Sequence, residues 1–216
     1  MIRKKEPIVI MILRILLGCL FIFSGLSKAI DPIANAIQFD DYFISFRMPF
    51  LQFFSMFCAI ALTIVEFTIG VMMLFRIKIK LTAWLYLLFM TFLTAWLALA
   101  EYLEVNHGYD FGVVKDCGCF GKAIKLSNLQ TFLKNVVIII PTILIFIYRN
   151  DIPDIRLTEL GKWLFIALAM LAAGMVQLYC YRHLPIIDFS DWKIGSNAAE
   201  NYIDQQQISE ITYQYA

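Results

Sequence analysis

Asp116-Cys117-Gly118-Cys119-Phe120-Gly121 gathers two thiols, two residues apart and bracketed by glycines, in an otherwise apolar chain. Such a pair can close a small disulfide ring, hold a soft metal or exchange with the thiols of another protein, and the compartment it faces decides among these. Gly118 frees the backbone to bring the two Cα atoms into disulfide range. An i, i+2 ring is nevertheless tight, and tight, exposed disulfides are the labile ones. Lys115 and Lys122 favour the thiolates while Asp116 opposes them, so the balance stays open. A structural disulfide, including one to Cys180, is the alternative. A metal would find at most a third ligand in His107, at unhelpful spacing.

The elements that must position this pair are membrane spans. Of 216 residues, 61% are hydrophobic and only 16% charged, against roughly half and a quarter in a soluble domain. A net charge of +1 excludes the basic footprint of a nucleic-acid binder. Apolar runs at about 8–30, 53–75, 81–100, 129–148 and 161–181 each suffice for a hydrocarbon core of ~30 Å at ~1.5 Å per residue. The first, preceded by Arg3, Lys4 and Lys5, competes with a signal peptide; Arg14 and its length favour a span. Asp31-Pro32 ends it, and the aromatic stretch to Gln52 reads as a segment lying in the interface. Arg76-Ile77-Lys78-Ile79-Lys80 leaves a tight basic turn, so the second and third spans form an antiparallel hairpin. Pro141 is expected to kink the fourth. Ala167, Ala169, Ala172, Ala173 and Gly174 permit close helix contact in the fifth.

Alternating spans place Arg3, Lys4, Lys5, Arg76, Lys78, Lys80, Arg149, Arg156 and Lys162 on one side of the membrane. Arg47, Lys115, Lys122, Lys125, Arg182 and Lys193 fall on the other. Every short turn on the first side is basic, which predicts a cytoplasmic N-terminus. The cysteine loop and the C-terminus are then outside, in a bacterial cell the oxidising periplasm.

Ionisable groups within spans need partners. Arg14 lies about 9 Å and Glu66 about 13 Å from the cytoplasmic ends of their helices, which predicts an ion pair between the first two spans. The alternative is a snorkelling Arg14 with a protonated Glu66. Lys28 and Lys134, near outer helix ends, are expected to snorkel to headgroups, or together to hold a quinone carbonyl or a partner's carboxylate. Cys19 and Cys58 read as small buried hydrophobes, with Cys58 and above all Cys180 as candidate resolving thiols on the outer side. Trp84, Trp96, Trp163 and Trp192 read as interfacial belts. The sequence shows neither a phosphate loop nor a nucleophile to partner His107 or His183. Ile211-Thr212-Tyr213-Gln214-Tyr215 alternates like a strand.

Two stretches resemble a known group of membrane proteins, MauE and DoxX, the former named from methylamine utilisation. Arg14 to Pro32, RILLGCLFIFSGLSKAIDP, is similar to the first helix of DoxX-like proteins. Cys117 to Gly121, CGCFG, resembles the periplasmic cysteine motif of the MauE group. The resemblance implies a four-helix membrane core, residues 1–148 with the outer loop at 101–128, and a part in disulfide or electron transfer to exported proteins. A turn and fifth span, 149–182, and a tail, 183–216, lie beyond that pattern.

The expectation is thus an all-α antiparallel transmembrane bundle in the bacterial inner membrane. Cys117 and Cys119, with Cys180 as resolving thiol, exchange electrons or disulfides with a periplasmic thioredoxin-like or cysteine-containing protein. A quinone is the candidate electron sink by analogy with other small redox bundles. The competing expectations are a non-catalytic assembly factor with a structural disulfide, and a small-solute transporter lined by Arg14 and Glu66.

Overall fold

The computed structural model describes residues 6–107 and 128–183. The cysteine pair and the strand-like tail lie outside these described residues. Along the described chain run α1 Ile8–Ile30, α2 Pro32–Ser45, a 3₁₀ turn Pro49–Phe54, α3 Ser55–Phe75, α4 Ile79–His107, α5 Asn128–Tyr148 and α6 Glu159–Arg182. No strand occurs among the described residues. Among the described residues, five helical segments are long and apolar enough to cross a membrane: α1, the 3₁₀ turn with α3, α4, α5 and α6. Lipid offers no hydrogen bonds to a backbone, so an apolar run of this length satisfies its amides within itself, as a helix. Ile12, Leu16, Val137, Ile140, Leu164 and Leu168 turn outward, as lipid-facing side chains do.

Between α1 and α3 the backbones nearly touch. A Cβ placed on Gly18 would stand 3.0 Å from the Leu74 nitrogen, one on Gly25 2.9 Å from the Phe67 Cα, and one on Gly70 2.7 Å from the Ile22 nitrogen. Residues 18, 22 and 25 therefore stand level with 74, 70 and 67, which fixes an antiparallel register. Lipid removes the hydrophobic drive for helices to associate, so close packing of this kind supplies it. Around the seam, Phe21 stacks on the fully buried Tyr86 of α4 with ring centroids 3.9 Å apart. Leu17, Ile69, Met73, Met90 and Ile145 belong to the same core. The small-residue stripe of α6 packs less closely: a Cβ on Gly174 would meet only Ile64 Cδ1, at 3.7 Å.

The end of the bundle that carries the α3–α4 turn, here the basic end, is tied by hydrogen bonds. Arg76 takes a left-handed conformation (φ 57°) and its N–H turns back to the Met72 and Met73 carbonyls. The Ile77 N–H also bonds the Met72 carbonyl, at 2.9 Å, a closing pattern that satisfies the last carbonyls of a helix. The α5–α6 connection docks on this turn. Ile155 N–H donates to the Arg76 carbonyl at 3.0 Å, and Asp154 accepts from the Ile79 N–H at 2.9 Å and from Lys162 at 3.0 Å. Lys78 bonds Glu159 at 2.8 Å and lies over the Trp163 ring. The predicted hairpin is present, and its basic turn is also a docking surface for the last span.

The stretch after α1, expected as a loop segment in the interface, is largely helical. Asp31 does end α1, but its carboxylate accepts the Ala34 N–H and Pro32 occupies the first turn, so the same two residues open α2. This is an ordinary N-cap followed by proline at N1. Ile33, Ile37 and Ile44 face outward while Ala34, Asn35, Tyr42 and Phe43 are buried.

Candidate functional site

Glu66 sits in the middle of α3, 3% exposed, and its charge is met from α1. One carboxylate oxygen forms a very short contact with the Lys28 ammonium, and the other accepts from Ser24 Oγ at 2.7 Å. Lys28, itself 3% exposed, also reaches Ser24 Oγ at 3.3 Å. Lys28 therefore does not snorkel outward. A helical Cα–Cβ bond tilts toward the helix N-terminus, so a lysine close to the C-terminal end of α1 leans back toward the bilayer centre. On the antiparallel α3, Glu66 leans the opposite way, and the two side chains converge.

The same tilt separates Arg14 from Glu66, and the expected ion pair between them is not formed. With residue 18 level with 74, Arg14 lies beyond the last turn of α3, about 18 Å along the axis from the level of Glu66. Depth counted from helix ends treats the two helices as flush, whereas α1 projects past α3. Arg14 instead donates through Nη1 to the Met73 and Leu74 carbonyls at 2.9 and 2.6 Å, and through Nε to Glu6 at 2.9 Å. The last carbonyls of a helix lack intrahelical partners and carry its negative dipole end. A buried guanidinium answers both.

At the opposite, far end a cavity of about 250 Å³ opens between α1, α2, α3 and α4. Phe39, Phe43, Phe92 and Trp96 give it aromatic walls, with Cys58 and Leu62 on the α3 side. Its polar members are Lys28, Asn35, Gln38 and Tyr42. Asn35 is fixed by donating to Thr63 Oγ1 at 3.3 Å, and Thr63 donates in turn to the Ala59 carbonyl. Trp96, expected as an interfacial belt residue, packs against Phe46 and edge-on to Tyr42. The arrangement can hold a flat apolar group with hydrogen-bond acceptors.

Of the cysteines, Cys117 and Cys119 lie outside the described residues. Cys19 is exposed on α1, against the expectation of a buried hydrophobe, Cys58 is half-buried at the cavity, and Cys180 is 1% exposed at the far end of α6. Lys134 is half-buried on α5 and is not part of the cavity wall, so the structure does not join it to Lys28 there. Sequence reasoning missed the Lys28–Glu66 pair and the cavity. The signal for the pair was available: Ser24 and Lys28 are one turn apart, and Gly18 and Gly25 mark the face of α1 that meets α3.

No curated protein and no solved structure gives a significant match. The family model described as methylamine utilisation protein MauE matches residues 6–149, which takes in α1 to α5 and the segment that holds the cysteine pair. With that match over well more than half of its length and five membrane-length helices, the chain is a multi-pass membrane protein that belongs to the MauE family.

Proposed function

We propose that this protein is an inner-membrane thiol/disulfide redox protein, exchanging electrons or disulfides with periplasmic partners through Cys117 and Cys119. One thiolate attacks a disulfide sulfur of the partner, forming a mixed disulfide and expelling one partner thiolate. The second thiolate then attacks the mixed disulfide, releasing the partner as a dithiol and leaving Cys117 and Cys119 joined. The reverse sequence oxidises a client. The partner is a thioredoxin-like or cysteine-containing exported protein, and by family name the setting is methylamine utilisation.

One observation carries this reading: in a MauE-family chain, the segment holding the two cysteines is anchored between the C-terminal end of α4 and the N-terminal end of α5. Both anchors stand at the far end of the bundle, with the cavity and Cys180. The concentration of Arg and Lys at the basic end supports a cytoplasmic position for that end and a periplasmic one for the cysteines. Cys180 is the candidate additional resolving thiol beside the pair itself; its burial means that the far end of α6 must open for it to act.

The test is trapping in cells with Cys117→Ser and Cys119→Ser, each leaving one thiol unable to resolve. A mixed disulfide with an exported protein, lost in the double variant, is expected. Two single variants that leave partner thiol status unchanged and trap nothing would end the proposal. Retained exchange in Cys180→Ser would remove Cys180 from the mechanism alone.

A further inference from the structure

The cavity at the far end suits a particular chemical class of ligand, and we infer that it binds the headgroup of a membrane-soluble quinone. Its volume of about 250 Å³ exceeds the ~150 Å³ of a dry protein cavity that takes benzene. It stays below the roughly 300–1,000 Å³ of sites for drug-sized ligands. A substituted single ring or a compact fused pair fits between these bounds. Phe39, Phe43, Phe92 and Trp96 supply flat faces for such a ring.

The polar part of the wall selects the substituents. Lys28, Asn35, Gln38 and Tyr42 all carry N–H or O–H donors, and among the described residues no aspartate or glutamate lines the cavity. Glu66 stands behind Lys28 and holds its ammonium, so the wall presents donor and positive charge rather than carboxylate. Glu66 and Ser24 engage two of the three ammonium donors, and the third is left for a ligand. A ring carrying a carbonyl acceptor answers the third Lys28 donor; an acyl chain leaves that donor unanswered, which a low-dielectric site penalises.

The binding inference rests on the cavity, while its purpose rests on the thiol reading above. In the client-oxidising direction of that reading, the client leaves Cys117 and Cys119 as a dithiol, and reclosing their disulfide passes two electrons and two protons to the quinone, which leaves as quinol.

The experiment uses the full-length protein in lipid nanodiscs with decylubiquinone as probe and decylbenzene, which has the tail but no carbonyls, as comparator. Tryptophan quenching and thermal shift are read together. Saturable binding of the quinone is expected, with decylbenzene at least about tenfold weaker. Leu62→Trp, which fills the cavity, and Gln38→Leu, which removes a donor, should each weaken quinone binding, the first by about tenfold or more. A paired Cys117→Ser, Cys119→Ser variant should bind as the wild type does, so failed thiol exchange and failed quinone binding are told apart. Equal binding of decylbenzene would mark a lipid-chain cavity and overturn the inference, as would undiminished quinone affinity in a folded Leu62→Trp. If Leu62→Trp does not fold, Gln38→Leu and the wild-type comparison decide.

Discussion

Lys28, near the C-terminal end of α1, and Glu66, in the middle of the antiparallel α3, each lean back along their own helix and so meet as an ion pair. Both are all but inaccessible, so each charge depends on the other. Removing one partner of a buried pair leaves an uncompensated charge and typically costs about 3–5 kcal/mol, whereas replacing both by apolar groups is often nearly neutral. Lys28→Met and Glu66→Leu should each lower the unfolding temperature sharply in detergent or nanodiscs, and the double variant should recover most of the loss. Additive losses in the double variant would show that the pair is not coupled.

Arg14 answers to α3 carbonyls and Glu6, not to Glu66. Exchanging charges in an Arg14→Glu, Glu66→Arg variant should therefore give no rescue relative to the single changes. Arg14→Ala should cost about 1.5–3 kcal/mol, as for a hydrogen-bonded charged group, when measured by chemical unfolding. Recovery in the charge-exchanged variant would restore the pair expected from depth alone.

The seam between α1 and α3 tolerates no side chain at Gly25 or Gly70. Gly70→Val should destabilise the bundle by about 1–3 kcal/mol or more through overpacking. Gly174→Ala, with only the end of one flexible side chain at 3.7 Å, should be close to neutral. Comparing the two in one thermal-unfolding series tests whether α1 and α3, rather than α6, hold the tightest contact.

The clasp at the basic end joins exposed and half-buried groups, so it should matter less and respond to salt. Lys78 and Glu159 form a largely solvent-screened pair, and breaking it with Glu159→Gln should change stability by about 1 kcal/mol at most. Asp154→Ala, which also removes the acceptor of the Ile79 N–H, should cost more. Added salt should shrink the first effect more than the second.

The spans were legible because hydropathy and length are local properties: α1 and α5 end within a residue of where the apolar runs do. The hairpin followed from the shortness of the basic turn. What was not legible depended on register. Arg14 and Glu66 looked matched because their depths were measured from helix ends assumed to be level, and only the meeting of Gly18 with Leu74 shows how far α1 projects. Lys28 sits near a helix end, where position alone favours snorkelling, but the N-terminal tilt of its side chain turns it inward. The helix α2 is hidden because Asp31-Pro32, a helix-ending pair, serves equally as a helix-opening one. The cavity draws its wall from four helices and has no signature in any of them.

The most direct test of the central claim is the redox state of Cys117 and Cys119 in the intact protein. The wild type in nanodiscs is equilibrated in glutathione buffers of graded potential, and its thiols are alkylated and counted by mass spectrometry. An exchanging pair should pass from disulfide to dithiol within the range spanned by thioredoxin-like proteins, roughly −270 to −120 mV. A pair that stays oxidised throughout, or reduced throughout, would contradict the account and mark the cysteines as a structural bridge or as idle thiols.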